Sequence, residues 1–126
     1  MATRATYTFK SKGSIEAHIY IHYDGYPRGA ASYFKKMMEL LEERQKPLSD
    51  LRGGLVEQFI RANKNAEFTE HWQIHGDTEW HYEIDGDQLT VLELEGSKDL
   101  DDSEDRKGRQ FFKGSIDDYL KEFYAN

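Results

Sequence analysis

The sequence predicts an α+β domain in which helices cover one face of an antiparallel sheet, in the chain order ββ-αα-β(n)-α. Residues 5–23 alternate apolar and polar side chains, which is typical of two half-buried strands. Residues 30–60 instead space their apolar side chains as amphipathic helices do. Residues 80–94 return to alternation, so hairpins rather than crossover helices join the strands. The length of 126 residues suits one domain spanning residues 1–126.

The first hairpin is predicted from two alternating runs. In residues 5–10 the apolar side chains are Ala5, Tyr7 and Phe9, and residues 11–14 form a turn. Residues 15–23 place isoleucines on one face of the second strand. The opposite face of that strand carries Glu16, His18, Tyr20 and His22. This polar face meets either water or a second copy of the chain.

Two helices are expected next. Apolar residues at positions 30/31, 33/34, 37/38 and 40/41 predict a helix that ends near Arg44, before Pro47. Ser49 or Asp50 then caps a second helix that ends near Asn63. The pair Gly53-Gly54 costs this helix about 1 kcal/mol per glycine. Two interpretations follow: the backbone approaches a neighbour closely there, or the helix begins at Gly54.

The remaining elements alternate between strand and charged sequence. Residues 80–84 and 89–94 predict a hairpin around Asp85-Gly86, and a weaker strand is possible at 67–74. The change of face at Val91-Leu92 indicates a bulge or a strand buried on both sides.

The end of the chain combines a charged segment with a last strand and helix. Residues 98–109 are almost wholly charged and are expected to form a flexible acidic loop. A short strand at 109–113 follows, and Ser115 with Asp118 resembles a capping box that opens a terminal helix.

Composition limits the classes of partner. The 17 basic and 24 acidic residues give a net charge of −7, which disfavours general nucleic-acid binding and anionic membranes and favours a basic protein partner. No apolar run approaches the ~20 residues that span a bilayer. The first residues form no apolar leader, so a cytoplasmic location is expected. With no cysteine in the chain, neither disulfides nor thiolate metal sites are possible.

No catalytic constellation is apparent, and the sequence leans towards a protein that is not an enzyme. It has no phosphate-binding loop and no serine in a nucleophile elbow. His18 and His22 stand roughly 13 Å apart on a strand with ~3.3 Å per residue, so they do not easily share a metal ion. A site that combines His22, His81 and a carboxylate is geometrically allowed. The acidic run 99–105 lacks the glycine and glutamate of a calcium loop. We therefore assign no catalytic residue, metal or cofactor.

The segment 22–29 joins the second strand to the first helix and holds the candidate binding residues. Turn formers, two tyrosines, an arginine and a helix start meet there. Free amides at the helix start, together with polar side chains, could hold an anion. The candidate ligand-binding residues are His22, Asp24, Gly25, Tyr26 and Arg28. A purely structural role for the same turn is the alternative.

The run from Tyr20 to Gly29 fits the pattern aromatic-x-His-x-Asp-Gly-Tyr-Pro-x-Gly. In this it resembles a group of small uncharacterised prokaryotic proteins found in phage and mobile-element neighbourhoods. The resemblance also covers Gly53-Gly54 and the aromatic hairpin at 80–84, and so extends roughly over residues 5–95. It implies a shared fold and a prokaryotic or viral cytoplasmic setting.

Two functional hypotheses follow. The first is a non-enzymatic binding module that engages a protein partner as a regulator or inhibitor encoded by a mobile element. The second is a protein that binds or processes a small anionic, nucleotide-like ligand at residues 24–29. A homodimer is compatible with both hypotheses, because sheets rich in aromatic residues often pair.

Overall fold

The computed structural model describes residues 3–11, 13–23, 25–43, 54–63, 66–69, 78–94 and 108–124. Within these ranges it has an α+β fold, which confirms the predicted class and the order of elements along the chain. The strands are β1 (Ala5–Ser11), β2 (Ser14–Ile21), β3 (Glu67–Thr69), β4 (Trp80–Asp85), β5 (Gln88–Leu94) and β6 (Gly108–Ser115). The helices are α1 (Pro27–Glu43), α2 (Gly54–Ala62) and α3 (Ile116–Phe123).

The six strands form a mixed sheet in the order β3-β2-β1-β4-β5-β6. All neighbouring strands are antiparallel except β1 and β4, which run parallel from Ala5↔Trp80 to Lys10↔Asp85. The expectation of a purely antiparallel sheet is therefore wrong at the centre. Hairpins set the direction only of strands that follow each other directly. Two helices and β3 separate β2 from β4, and a connection of that length permits parallel pairing.

The turn between β4 and β5 lies one residue later than predicted. Asp85 pairs with Gln88, so the two turn residues are Gly86 and Asp87 rather than Asp85 and Gly86. Gly86 has a φ of +63°, a left-handed conformation that glycine adopts without steric cost.

Of the two alternatives at Val91-Leu92, the structure has the bulge, with its extra residue on the partner strand. Val91 pairs with Phe112 and Leu92 with Gln110, which leaves Phe111 as the extra residue of β6.

The described residues test part of the predicted helix boundaries. Helix α2 spans Gly54–Ala62, and Gly53 lies outside the described residues, so the two interpretations of Gly53-Gly54 both stand. The helix ends where the Asn63 amide donates to the carbonyl of Phe59 at 3.0 Å. At α3 the Asp118 amide donates to the Ser115 hydroxyl at 3.1 Å, as the predicted cap requires. The predicted boundary and capping residues at 44–50 lie outside the described residues.

The expectations for the acidic loop and for the weaker strand are decided only in part. Strand β6 begins at Gly108, so residues 108 and 109 belong to a strand rather than to the predicted loop at 98–109. Of the possible strand at 67–74, residues 67–69 form β3. Residues 70–74 and 98–107 lie outside the described residues.

One face of the sheet packs against all three helices through aromatic side chains. Tyr7 of β1 and Tyr82 of β4 stack with ring centroids 4.8 Å apart. Phe34 of α1 and Phe59 of α2 lie 5.9 and 5.1 Å from the Tyr7 ring, and Tyr119 of α3 lies 5.9 Å from the Phe34 ring. All five side chains are fully buried. We call this side of the sheet the aromatic face.

No helix among the described residues is long and apolar enough to cross a membrane. This agrees with the apolar runs of the sequence, which are all short.

Candidate functional site

The candidate site is the corner, which we define as residues 22–29, where the chain passes from the end of β2 into α1. The predicted site residues differ in exposure there. Gly25 is buried and His22 is half-buried, whereas Tyr26 and Arg28 are exposed. Asp24 lies outside the described residues. The exposed candidates Tyr26 and Arg28 thus follow directly on the buried Gly25.

Three tyrosine hydroxyls hold the backbone of the corner, and each comes from a different element. They donate to three alternate carbonyl groups: Tyr33 of α1 to the carbonyl of Tyr23 (2.7 Å), Tyr82 of β4 to that of Gly25 (2.6 Å) and Tyr119 of α3 to that of Pro27 (2.6 Å). Burial raises the pKa of Tyr82 and of Tyr119 well above the usual value near 10. Both hydroxyls therefore remain protonated donors throughout the physiological pH range.

Gly25 allows the corner to approach the start of β1 closely. Its amide donates to the carbonyl of Thr3 at 2.9 Å. A Cβ atom at this position would lie 2.6 Å from the Cβ of Ala5 and 2.9 Å from the Thr3 carbonyl oxygen. Real Cβ atoms do not tolerate such contacts. A residue without a side chain is thus required here by packing against β1.

The outer side of the corner presents aromatic and polar side chains. Tyr23 is 54% exposed and Tyr26 is 44% exposed. The alternating pattern of residues 15–23 groups Tyr23 with the isoleucines on one face of the second strand, but β2 ends at Ile21 and Tyr23 is exposed. The alternating pattern could not predict the exposure of Tyr23, because alternation indicates which face a side chain occupies only within a strand.

His22 is held at the edge of the corner by β3. Its Nε2 lies 3.0 Å from Oε2 of Glu67, and its ring lies edge-on to Tyr20, with centroids 4.6 Å apart. Glu67 was not among the predicted site residues. Glu67 comes close to His22 because β3 pairs with β2, with Glu67 opposite Tyr20. No local sequence pattern predicts that pairing.

The start of α1 differs electrostatically from those of the other helices. The first turn of α1 contains no acidic residue, whereas α2 has Glu57 there and α3 has Asp117 and Asp118. An acidic side chain in the first turn interacts favourably with the positive end of the helix dipole. Helix α1 lacks that contribution, and the exposed Arg28 adds a positive charge next to its start.

A second polar group lies at the centre of the sheet, on the side opposite the aromatic face. We call Thr6, Lys10, His81 and Glu83 the sheet-centre cluster. Thr6 Oγ1 lies 2.8 Å from His81 Nδ1, and His81 Nε2 lies 3.5 Å from Glu83 Oε1. Lys10 Nζ lies 3.4 Å from the other Glu83 oxygen. Every one of these contacts joins β1 to β4 or lies within β4.

Burial and hydrogen bonding shift the two titratable groups of this cluster that belong to β4. His81 is fully buried, and this burial lowers its pKa below the usual 6.5. The hydrogen bond with His81 is the main cause that lowers the pKa of Glu83 from 4.5 to about 2. Neutral His81 and ionised Glu83 are therefore the stable pair at neutral pH.

The structure does not bring together the histidine site that the sequence allowed. His22 contacts Glu67, whereas His81 contacts Thr6 and Glu83. In the part of the chain that the structure describes, no three His, Asp or Glu side chains group closely enough to hold a metal ion. His71 and His75 lie outside that part.

Searches against protein-family models, curated proteins and solved structures return no match to this chain. We therefore infer function from the arrangement of the chain's own residues. The corner combines backbone carbonyls held by tyrosine hydroxyls with exposed tyrosine and arginine side chains and a half-buried histidine, which suits non-covalent recognition. In the sheet-centre cluster, Thr6 and His81 are completely buried, which suits a structural role.

Proposed function

We propose that this protein is a non-enzymatic binding module that engages a protein partner through the corner. The observation that carries the proposal is that hydrogen bonds hold the backbone of the corner while the rings of Tyr23 and Tyr26 are exposed. Three buried or half-buried tyrosines hold the corner carbonyls, while Tyr23 and Tyr26 expose about half of their surface. A rigid backbone lowers the entropy lost on binding, and tyrosine supplies a large contact area with few rotatable bonds.

The charge of the chain supports a partner with a basic surface. The net charge is −7, and complementary charge both accelerates association and excludes wrong partners. The motif that runs through the corner supports a phage or mobile-element origin and a cytoplasmic setting, in which the module acts as a regulator or inhibitor. These points of setting and role belong to the proposal.

Cross-linking of the full chain in its host, followed by mass spectrometry, tests the proposal. The test variant is the double substitution Tyr23→Ala/Tyr26→Ala, which should abolish the cross-links that pass through the corner. The matched control is Tyr124→Ala, because Tyr124 follows α3 and is 46% exposed. Equal cross-linking of the two variants would overturn the proposal, and cross-links joining two copies of this chain would identify the partner as a second subunit.

The second candidate function is recognition of a small anionic, nucleotide-like ligand at residues 24–29. The observation that favours it is the first turn of α1, which has no acidic residue and is flanked by the exposed Arg28. Nucleotides and inorganic phosphate should then raise the melting temperature of the full chain, since a ligand that binds only the folded state stabilises it. Arg28→Ala should abolish the shift. A flat melting temperature with every anion would remove this candidate.

A further inference from the structure

We propose that Tyr82 and Tyr119 are positioning residues that couple the corner to β4 and α3. The inference deepens the proposed function and rests on it for its biological meaning. The structural part of the inference does not depend on a binding role: the shape of the corner depends on hydroxyl groups that belong to distant parts of the chain. Docking of the last helix thereby becomes a condition for the shape of the recognition surface.

The hydrogen bonds of the corner follow an alternating pattern along the backbone. The carbonyls of residues 23, 25 and 27 accept from tyrosine hydroxyls. The Gly25 amide donates to Thr3, and the Ala30 amide donates to Tyr26 at 2.9 Å as the first bond of α1. For the described residues of the corner, the partners in these bonds all lie outside residues 22–29. Their loss would leave the path of the chain without local support.

The donors are remote in sequence. Tyr82 reaches Gly25 across 57 positions and Tyr119 reaches Pro27 across 92. Both rings belong to the aromatic face, where Tyr82 stacks on Tyr7 and Tyr119 packs on Phe34. The same side chains that dock β4 and α3 into the core thus carry the hydroxyls that fix the corner.

Helix α3 is the element through which this coupling can act. Tyr119 is fully buried and packs 4.7 Å from Phe123 of the same helix and 5.2 Å from Phe112 of β6. If α3 leaves its position, Tyr119 withdraws and the carbonyl of Pro27 loses its donor. Coupling between two sites is reciprocal, so a partner that binds the ordered corner must also favour the docked helix.

Amide hydrogen exchange of the full chain, resolved by NMR, tests the coupling without any partner. The variants are Tyr82→Phe and Tyr119→Phe, which keep the ring and remove only the hydroxyl. The reporters are the Gly25 and Ala30 amides, and the reference is the Asn63 amide, which donates to Phe59 at the end of α2. We expect Tyr82→Phe to accelerate exchange at Gly25, and Tyr119→Phe at Ala30, by about three- to tenfold relative to Asn63.

The matched control is Tyr7→Phe, which makes the same chemical change within the same stack. The Tyr7 hydroxyl makes none of the three bonds to the corner, so this variant should leave the ratio of corner to reference exchange unchanged. If either Tyr82→Phe or Tyr119→Phe fails to fold, the other variant tests the coupling at its own reporter amide.

Two results would overturn the inference. One is an unchanged exchange ratio in the variants that lack a corner hydroxyl. The other is an equal change in Tyr7→Phe, which would show only a general loss of stability. Either result leaves the cross-linking test of the corner as a recognition surface unaffected. Conversely, accelerated corner exchange together with unaltered cross-linking of Tyr23→Ala/Tyr26→Ala would confirm the coupling and refute the binding role.

Discussion

The two faces of the sheet are equally buried at its centre but are filled by different side chains. On the aromatic face Tyr7 and Tyr82 stack, with Phe34 and Phe59 against them. On the other face, at neighbouring positions of the same two strands, Thr6 and His81 form a hydrogen bond. All six side chains are completely buried. Neighbouring residues of β1 and β4 are therefore buried in different ways: the rings pack against each other on one face, and the polar side chains form a hydrogen bond on the other.

The comparison separates two kinds of stabilising interaction. Ring packing depends on buried area and shape, and its contribution changes little with pH. A buried polar pair stabilises only while each group keeps its partner and its protonation state. We therefore expect substitutions on the aromatic face to cause large losses of stability at any pH. Those in the sheet-centre cluster should cause smaller losses that depend on pH.

The largest effect is expected from Phe34→Ala on the aromatic face. Phe34 lies within 6 Å of four aromatic rings, those of Tyr7, Phe59, Tyr82 and Tyr119. Removing a fully buried ring leaves a cavity and should lower the free energy of unfolding by about 3–5 kcal/mol. Urea denaturation at pH 7.5 and at pH 6 should give the same loss. Ile15→Ala, at a position 58% exposed, is the control and should change stability by less than about 0.5 kcal/mol.

A smaller loss is expected from Gly25→Ala, which tests whether the aromatic face also constrains the corner. The added Cβ would meet Ala5 of β1 at 2.6 Å, and overpacking of this kind costs about 1–3 kcal/mol. Tyr26→Ala in the same corner removes an exposed side chain and should leave stability within about 0.5 kcal/mol of the parent. Thermal unfolding of the two variants measures both effects. Equal midpoints would contradict the close packing at Gly25.

Local patterns predicted the aromatic face far better than the other face. Alternation identified Tyr7 and Tyr82, helical spacing identified Phe34, and the cap at Ser115 followed from a short motif. Thr6 and His81 could not be paired, because their contact needs the parallel alignment of β1 with β4. The tyrosine bonds to Gly25 and Pro27 were missed because they too join residues that are far apart in the sequence. A local pattern tells which side a residue faces and not which distant residue it meets.

At the centre of the sheet, Glu83→Gln should lower the free energy of unfolding by about 1–2 kcal/mol at pH 7. This loss is smaller than for a fully buried charged hydrogen bond, because Glu83 is partly exposed to solvent. Its folded-state pKa of about 2 lies below the usual 4.5. The carboxylate therefore stabilises the fold above pH 4.5, and this contribution is lost as the pH falls towards 2. Denaturant titrations of parent and variant should converge over that range. Glu93→Gln breaks the exposed pair with Arg109 and should change stability by less than about 0.5 kcal/mol.

The pH dependence near neutrality should come from His81. Its folded-state pKa lies below 6.5, so the unfolded chain binds more protons once the pH falls below that value. The parent should then lose stability on acidification below pH 6.5, by at most about 1.4 kcal/mol per pH unit from this group. His81→Gln should reduce the slope, whereas Phe34→Ala should retain it. Parallel slopes in the parent and in His81→Gln would refute a neutral buried imidazole.

The smallest effect distinguishes two hydroxyls on the same face of β1. Thr6 bonds to the fully buried His81, and Thr8 bonds to the half-buried His18, both at 2.8 Å. Valine has the shape of threonine without the hydroxyl, so each substitution removes one hydrogen bond. Thr6→Val should cost about 1 kcal/mol because the imidazole nitrogen of His81 cannot turn to water. Thr8→Val should cost about half as much, since His18 keeps access to solvent. Equal losses in urea denaturation would mean that burial of the partner does not set the strength of polar pairing on this face.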